Sequence, residues 1–303
     1  MRRRLLTALA VTGLVFAACF IAILGLLVVS ERGDFALGGN RVALVEVEGL
    51  IVDSERVVQE LQQHGEDPAI RAVVVRIQTP GGVVAPTQEI YDAIKRVRAG
   101  GKPVVASLGA IAASGGYYLA AAADRIVANP GTLTGSIGVL IQLANVEGLL
   151  RKVGVRVEVV KAGRYKDLGN LGRQMTPEER AILQSLLDDM YDQFVTAVAQ
   201  GRGLEREAVL AVADGRLYSG RRAKDLGLVD TLGGLDEAVR VAGGLAGISG
   251  KPRLVRPRRP FQLTDLAGWL ASRAPVGGLL AATPALPSFP LLGSAKLPLY
   301  LME

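Results

Sequence analysis

Ser114 is the residue of this sequence best placed to act as a nucleophile. It follows the apolar, strand-like run PVVASLG at 103–109 and precedes a stretch of helical composition at 115–123. At such a junction a hydroxyl lies near the unpaired N–H groups of the first helical turn, whose partial positive charge favours developing negative charge. This placement predicts acyl transfer, which requires a nucleophile, a proton acceptor and donors for the oxyanion.

The proton acceptor is harder to find than the nucleophile. The only histidine, His64, lies in the polar stretch QQHGEDP, which is typical of a surface loop. The sequence therefore offers no well-placed histidine for a Ser-His-Asp triad. A lysine is the obvious substitute. Lys166 differs from the other lysines in its flanking glycines, its neighbour Tyr165 and a preceding strand-like run. To accept a proton near neutral pH, its ammonium must be desolvated or lie near positive charge.

Glycine N–H groups are the candidate oxyanion donors. The segment TPGG follows another buried strand-like run, and Gly81 or Gly82 could present a backbone N–H there, because glycine lets a carbonyl approach closely. The N–H of Gly115 could be the second donor. Ser136, in the segment GSIG, is either a polar residue that supports the site from behind or a turn residue.

Each of these segments also has a purely structural interpretation. SGG at 114–116 could be a helix start where small residues pack closely, and TPGG at 79–82 could be an ordinary turn with proline at its first corner. GRYKD at 163–167 could be a solvated turn. The functional interpretation is favoured because all three segments follow strand-like runs, and loops after parallel strands emerge at one edge of a sheet.

Strand and helix patterns alternate along the part of the chain that carries these segments. The alternation predicts βαβ units and a parallel sheet, and therefore an α/β fold. The strand-like runs are at 42–49, 72–77, 103–109, 125–128 and 155–160, and the helical ones at 57–63, 86–98 and 115–123.

Helices dominate the sequence from Thr176 onwards. Thr176 and Glu179 form a capping box around Pro177, which predicts a helix that runs to about residue 200 and gives this motif a structural rather than a chemical role. Shorter helices are expected at 206–212, 220–226 and 235–243.

Composition excludes several classes of protein. The chain has 303 residues, half of them hydrophobic, and a single cysteine, Cys19, so neither a disulfide framework nor a Cys/His zinc site is expected. We expect no metal and no cofactor. The net charge of +6 is concentrated in RRR at 2–4 and KPRLVRPRRP at 251–260. Aromatic residues are only 5% and are not interleaved with these blocks, so nucleic acid is not an expected partner.

The N-terminal region has the pattern of a membrane anchor. Leu5 to Val29 contains no charged residue and is long enough to cross a hydrocarbon core of about 30 Å. The arginines before it predict a cytoplasmic N-terminus with the remainder outside. A cleaved signal peptide, with Cys19 as a lipid-attachment site, is the alternative. The expected domains are an anchor at 1–30, a linker at 31–41, an α/β domain at 42–245 and a C-terminal extension at 246–303.

Three motifs resemble those of the signal peptide peptidase A family, membrane-bound bacterial serine proteases of the ClpP/crotonase superfamily. LGAIAASGGYYLAAAADRIVANPGTLTGSIGV resembles the family signature, and RIQTPGGVV resembles its RINSPGG element. AGRYKD with the downstream TPEE matches SGxYKD with TxEE. The resemblance extends from about residue 42 to 242 and implies a spiral of ββα units with a helical C-terminal part.

The resemblance also implies roles for individual residues. The family's nucleophile falls on Ser114, its lysine base on Lys166, its oxyanion glycines on Gly81 and Gly82, and the hydroxyl that holds the lysine on Ser136. The sequence departs from the family pattern at two places, where Gln78-Thr79 replaces Asn-Ser and Ala162 replaces a common serine.

Chain length determines which form of the family this sequence resembles. Double-length members of the family supply the serine and the lysine from separate repeats. This chain resembles the single-length form. The resemblance therefore implies a homo-oligomeric ring in which a neighbouring subunit contributes Lys166. The function implied is degradation of signal peptides and other membrane-associated peptides after secretion, at the outer side of a bacterial membrane. The alternatives are a related membrane protease with a regulatory target, a crotonase-like acyl-CoA enzyme and a silent peptide-binding scaffold.

Overall fold

The computed structural model of the chain describes residues 40–256 and the backbone of residues 301–302. Its strands are β1 (Arg41–Glu48), β2 (Ile70–Thr79), β3 (Gly82–Val83), β4 (Val104–Ala113), β5 (Arg125–Ala128), β6 (Leu133–Gly135), β7 (Leu217–Ser219), β8 (Thr231–Leu232), β9 (Arg253–Val255) and β10 (Leu301–Met302). Its helices are α1 (Glu55–Glu66), α2 (Val84–Ala99), α3 (Gly115–Ala121), α4 (Glu147–Lys152), α5 (Pro177–Arg202), α6 (Arg206–Leu210), α7 (Gly220–Asp225) and α8 (Leu235–Leu245).

The main sheet is largely parallel, as the alternating pattern predicts. Its strands run in the order β7-β6-β4-β2-β1-β9, while β5 pairs with β4 and with β8. Every pair in this sheet is parallel except β6 with β7. The fold is therefore mixed α/β, and β9, from the region expected to be a C-terminal extension, joins the sheet edge beside β1.

Helices cover both faces of the sheet because its central strands are apolar on both sides. Ala43 and Val45 of β1 face a large core that also contains buried residues of α1, α2, α3 and α5. Val42 and Leu44, which alternate with them, pack instead against α8. Period-two alternation within one strand thus divides the interior into two layers.

Three aromatic rings join the helices that lie closest to Ser114. The Tyr118 ring of α3 lies 4.8 Å from that of Tyr91 on α2 and 5.0 Å from that of Phe194 on α5, measured between centroids. Offset and edge-on contacts at these distances stabilise aromatic pairs beyond their burial alone. The helix that starts at Ser114 is therefore tied directly to α5.

Two sequence expectations need correction here. The run at 155–160 was expected to be a strand, but it has no regular secondary structure and its valines are exposed, with Val160 fully so. His64 was expected in a surface loop, but it lies in the last turn of α1, where burial lowers its pKa. Polar composition suggested a loop at His64, whereas packing of the apolar face of α1, through Val57 and Leu61, continues the helix past it.

The predicted membrane span at 5–29 lies outside the described residues, as does the basic block from residue 257 onwards. Within the described part of the chain, no helix combines the length and apolar character that crossing a bilayer requires.

Candidate active site

Ser114 lies at a sharp turn between β4 and α3. Its backbone has φ 53° and ψ −117°, a conformation that is costly for a residue with a side chain. The turn is held by two backbone hydrogen bonds, from Ser114 N to Gly135 O at 2.8 Å and from Tyr118 N to Ser114 O at 2.9 Å. The strand-to-helix junction predicted from sequence is thus confirmed. The backbone strain at Ser114 was not predicted and is seen only in the structure.

The hydroxyl of Ser114 is buried and has no hydrogen-bond partner among the described residues. Buried polar groups are nearly always paired, so an unpaired hydroxyl at a strained turn indicates a reactive group rather than a structural one. Among the described residues, His64 makes no hydrogen bond to this hydroxyl.

The TPGG turn is organised by the Thr79 side chain, which is fully buried. Thr79 Oγ1 donates to Gly81 O at 2.9 Å and accepts from Gly81 N at 3.0 Å. Gly81 has φ 135°, which suits glycine alone. Because the Gly81 N–H is engaged by Thr79, the geometry favours Gly82 and Gly115 as the oxyanion donors and gives Gly81 the role of forming the turn.

The two glycine segments lie in direct contact. A Cβ on Gly115 would lie 3.3 Å from Gly82 N, and a Cβ on Gly116 would lie 2.7 Å from Thr79 Cγ2. On its other side, Gly82 is so close to Ile51 that a Cβ would lie 2.1 Å from Ile51 O. The interpretation of these glycines as close-packing residues is therefore correct, and the same packing brings two backbone N–H groups together beside Ser114.

Ser136 lies next to this arrangement. It directly follows β6, whose Gly135 pairs with Ala113 at the end of β4, and its N donates to Arg216 O at 2.9 Å. Ser136 is buried and has φ 51°. Among the described residues, Ser114 and Ser136 are the two non-glycine positions with positive φ, so backbone strain is concentrated at this site.

Lys166 makes no hydrogen bond to the Ser114 hydroxyl within the described chain. It lies on an exposed turn whose N–H bonds to Gly163 O at 3.2 Å. The residues on either side of it, Tyr165 and Asp167, make side-chain contacts that fix the turn. Of the three segments expected to converge, TPGG and SGG are in direct contact, and the GRYKD segment makes no hydrogen bond to the Ser114 hydroxyl.

Sequence reasoning missed the ion pairs that Asp167 and Glu179 form with Arg173. Hydrogen bonds from Lys161 and Arg173 lower the pKa of Asp167, and the Arg173 guanidinium, with the Thr176 N–H, lowers the pKa of Glu179 to about 2. The capping box of Thr176 and Glu179 is confirmed. The adjacent glutamates Glu178 and Glu179, shortly after the GRYKD turn, were the sequence signal that could have predicted these ion pairs.

Among the residues that the structure describes, no group of three or more His, Cys, Asp or Glu side chains is arranged to hold a metal ion.

Comparison with known proteins identifies the family. The model of peptidase family S49 matches residues 96–249, about half of the chain, and a Clp protease model matches residues 46–132. The chain belongs to peptidase family S49. The segments around Ser114 and Lys166 lie within the S49 match, whereas TPGG lies only in the Clp protease match.

Relatives of this S49 peptidase carry protease names. A Synechocystis sp. protein provisionally named as a protease is 47% identical over 210 residues, covering 69% of this chain and 76% of that protein. Protease 4 of Salmonella typhi is 36% identical over 69% of this chain and 35% of its own length. A protein of Enterococcus faecium provisionally named signal peptide peptidase SppA is 32% identical over 70% of this chain and 65% of its own. The family matches and these relatives together show that this S49 chain is a serine protease with a ClpP-like fold.

Proposed function

We propose that this serine protease is a membrane-anchored endopeptidase in which Ser114 and Lys166 form a catalytic dyad across two subunits. The observation that carries the proposal is the buried, unpaired hydroxyl of Ser114 at a strained turn beside the backbone of Gly82 and Gly115. In this proposal Ser114 is the nucleophile and Gly82 and Gly115 are the oxyanion donors, and among the described residues no base lies at hydrogen-bonding distance from Ser114 Oγ. Lys166, which is exposed, supplies that base from a neighbouring copy in a homo-oligomeric ring.

The proposed reaction proceeds through an acyl-enzyme. Ser114 Oγ attacks the peptide carbonyl carbon while its proton passes to Lys166 Nζ, and the oxyanion accepts hydrogen bonds from the N–H groups of Gly82 and Gly115. Cleavage of the C–N bond transfers that proton to the leaving amine. Water then attacks the ester, its proton passing through Lys166, and the carboxylic acid product leaves with Ser114 restored. Ser136 supports the lysine.

Peptide binding is proposed to use the edge of β3. One side of this short strand is held by Ile51, whose N bonds to Gly81 O at 2.9 Å and whose O accepts from Val83 N at 2.7 Å. The other side pairs antiparallel with the backbone of Leu301–Met302. An edge that pairs with an extended segment of its own chain is suited to bind a peptide substrate by strand addition.

The substrates that we propose are signal peptides and other membrane-associated peptides, with the N-terminus cytoplasmic and the protease domain outside. The support is the resemblance of the motifs and the uncharged run at 5–29. Hydrolysis of an apolar signal peptide by the full chain in detergent micelles, with no hydrolysis of a polar peptide of equal length, is the expected result. Equal rates on both peptides would contradict this substrate class.

Subunit mixing tests the dyad directly. Ser114→Ala and Lys166→Ala should each lower kcat by about a thousandfold or more, as for other nucleophile and base pairs. A mixture of the two inactive variants, dissociated and reassembled, should regain part of the activity. Lys152→Ala, at another exposed lysine, is the matched control and should behave as wild type.

Two results would reject the dyad. Wild-type activity in either variant would remove that residue from the mechanism, and a complete absence of complementation would contradict the shared site. Labelling of Ser114 by a fluorophosphonate probe separates a protease from the silent scaffold, which would not be labelled.

A further inference from the structure

The turn that carries Lys166 is fixed on its N-terminal side by the start of α5. The hydroxyl of Tyr165 donates to Glu178 Oε1 at 2.8 Å, and Arg164 pairs with the other oxygen of Glu178. Both interactions are exposed to solvent, so each contributes modestly on its own. They nevertheless place the residue before Lys166 against the first turn of a 26-residue helix.

The C-terminal side of the turn is fixed more deeply. Asp167 pairs with Arg173, whose Nε donates to Asp167 Oδ2 at 3.0 Å, and also with Lys161. The Arg173 guanidinium reaches across to Glu179, with Nη1 donating to Oε2 at 2.8 Å and Nη2 donating to Oε1. The side chains of Asp167 and Glu179 are only 9% and 5% exposed. Charge-assisted bonds between such shielded groups are stronger and better oriented than surface pairs.

Glu179 connects this cluster to the helix itself. Its Oε2 accepts from Thr176 N at 2.9 Å, while Glu179 N donates to Thr176 Oγ1 at 3.2 Å, which completes the capping box. Arg173 thus links the residue after Lys166 to the N-terminus of α5 through one planar group. A lysine could not replace it fully, because an ammonium lacks the fork that binds two carboxylates at once.

Arg173 also occupies carboxylates that would otherwise compete for Lys166. Asp167 adjoins Lys166 in sequence, Glu179 shares Arg173 with Asp167, and both carboxylates are paired with cations other than Lys166. A free carboxylate beside a lysine favours the charged ammonium, which cannot accept a proton. The segment before the turn, at 155–160, has no strand partner in the described chain that could hold the turn instead.

We propose that Arg173 is a positioning residue for Lys166, an inference that rests on the proposed dyad. By joining Asp167 to Glu179 it holds the Lys166 turn against α5 and keeps both carboxylates away from the lysine amine. Lys166 then projects free from the turn, ready to take the proton of Ser114 in a neighbouring subunit.

The test is steady-state kinetics of the full chain in detergent micelles. Arg173→Ala should lower kcat about tenfold to a hundredfold while KM stays within twofold, because the peptide binds at β3 and Ser114 rather than at this turn. Arg173→Lys, which keeps one charge, should lose only about threefold in kcat. Added guanidinium ion, at a concentration below that which unfolds the chain, should restore part of the kcat of Arg173→Ala and none of that of Lys166→Ala.

The matched control is Arg240→Ala, which removes an exposed Arg–Glu pair on α8 and should leave kcat unchanged. If Arg173→Ala does not fold, Arg173→Lys and its rescue by guanidinium decide the question. Wild-type kcat in a folded Arg173 variant, or a rise in KM without a fall in kcat, would overturn the inference while leaving the dyad intact. Full activity of Lys166→Ala would reject the proposed function itself.

Discussion

The amide of Ser114 is hydrogen-bonded to the carbonyl of Gly135 at 2.8 Å, so the turn at Ser114 is joined directly to β6, which Ser136 follows. Two residues far apart in sequence are thus fixed relative to each other by backbone alone. A side-chain substitution near Ser114 or Ser136 leaves this backbone hydrogen bond in place. Its effect therefore reports on catalysis or on backbone strain.

Relief of strain at Ser114 is the first prediction. Ser114→Gly and Ser114→Ala should both be inactive, but the glycine variant should be more stable than the alanine variant by about 1 kcal/mol, because only glycine adopts φ 53° without steric cost. Thermal unfolding of the two purified variants measures the difference. Equal stability would show that the turn is not strained.

Thr79 gives the second prediction. Thr79→Val keeps the shape of the side chain but removes the hydroxyl that binds Gly81 N and O, which should lower the free energy of unfolding by about 1–3 kcal/mol. It should also lower kcat/KM at least tenfold, since the TPGG turn is no longer fixed. Thr79→Ser, which keeps the hydroxyl, is the control and should stay near wild type. Denaturant unfolding and peptide hydrolysis give the two readouts.

Gly82 provides the third prediction. Gly82→Ala would place a methyl group 2.1 Å from the Ile51 carbonyl oxygen, so the backbone must move and the free energy of unfolding should fall by about 3 kcal/mol. Gly148→Ala, in α4 with open space around it, is the matched control and should be neutral or slightly stabilising. Similar unfolding midpoints for the two variants would contradict the close approach.

The fourth prediction concerns acid sensitivity at Glu179. The Arg173 guanidinium lowers its pKa to about 2 from an ordinary 4.5, so the ionised carboxylate stabilises the folded chain fully above about pH 4.5. This contribution is lost progressively as the pH falls towards 2. The melting temperature of wild type should therefore fall more steeply on acidification than that of Glu179→Gln. Parallel curves for the two proteins would refute this role, and Glu178→Gln is the matched control.

Local sequence patterns were enough to predict much of the fold. The runs of β-branched residues in β1, β2 and β4 and the capping box of α5 are local signals, and each forms the element that it predicts. Ser114 was found in the same way, because a strand-to-helix junction is visible in the chain itself.

The failures arose where long-range contacts decide the outcome. Residues 155–160 have the alternation of a strand, but a strand also needs a neighbour, and none pairs with them in the described chain. The binding of Gly81 by Thr79 depends on tertiary packing. The link from Asp167 through Arg173 to Glu179 joins three residues whose spacing matches no common motif, so TPEE was assigned a purely structural role.

Helix α5 joins the two halves of the proposed machinery over a considerable distance. Its first turn holds the Lys166 turn, while Phe194 packs on Tyr118 in the helix that begins at Ser114. Glu178 and Phe194 are 16 residues apart in α5, which at the rise of an α-helix is about 24 Å, so a tilt of α5 about the aromatic cluster moves its first turn. A tilt of α5 by about 5° about the aromatic cluster would displace the Lys166 turn by about 2 Å, which is enough to misalign a proton transfer. In the proposed ring, repacking the core beneath one Ser114 would therefore change the position of Lys166 at the proposed active site of the next subunit.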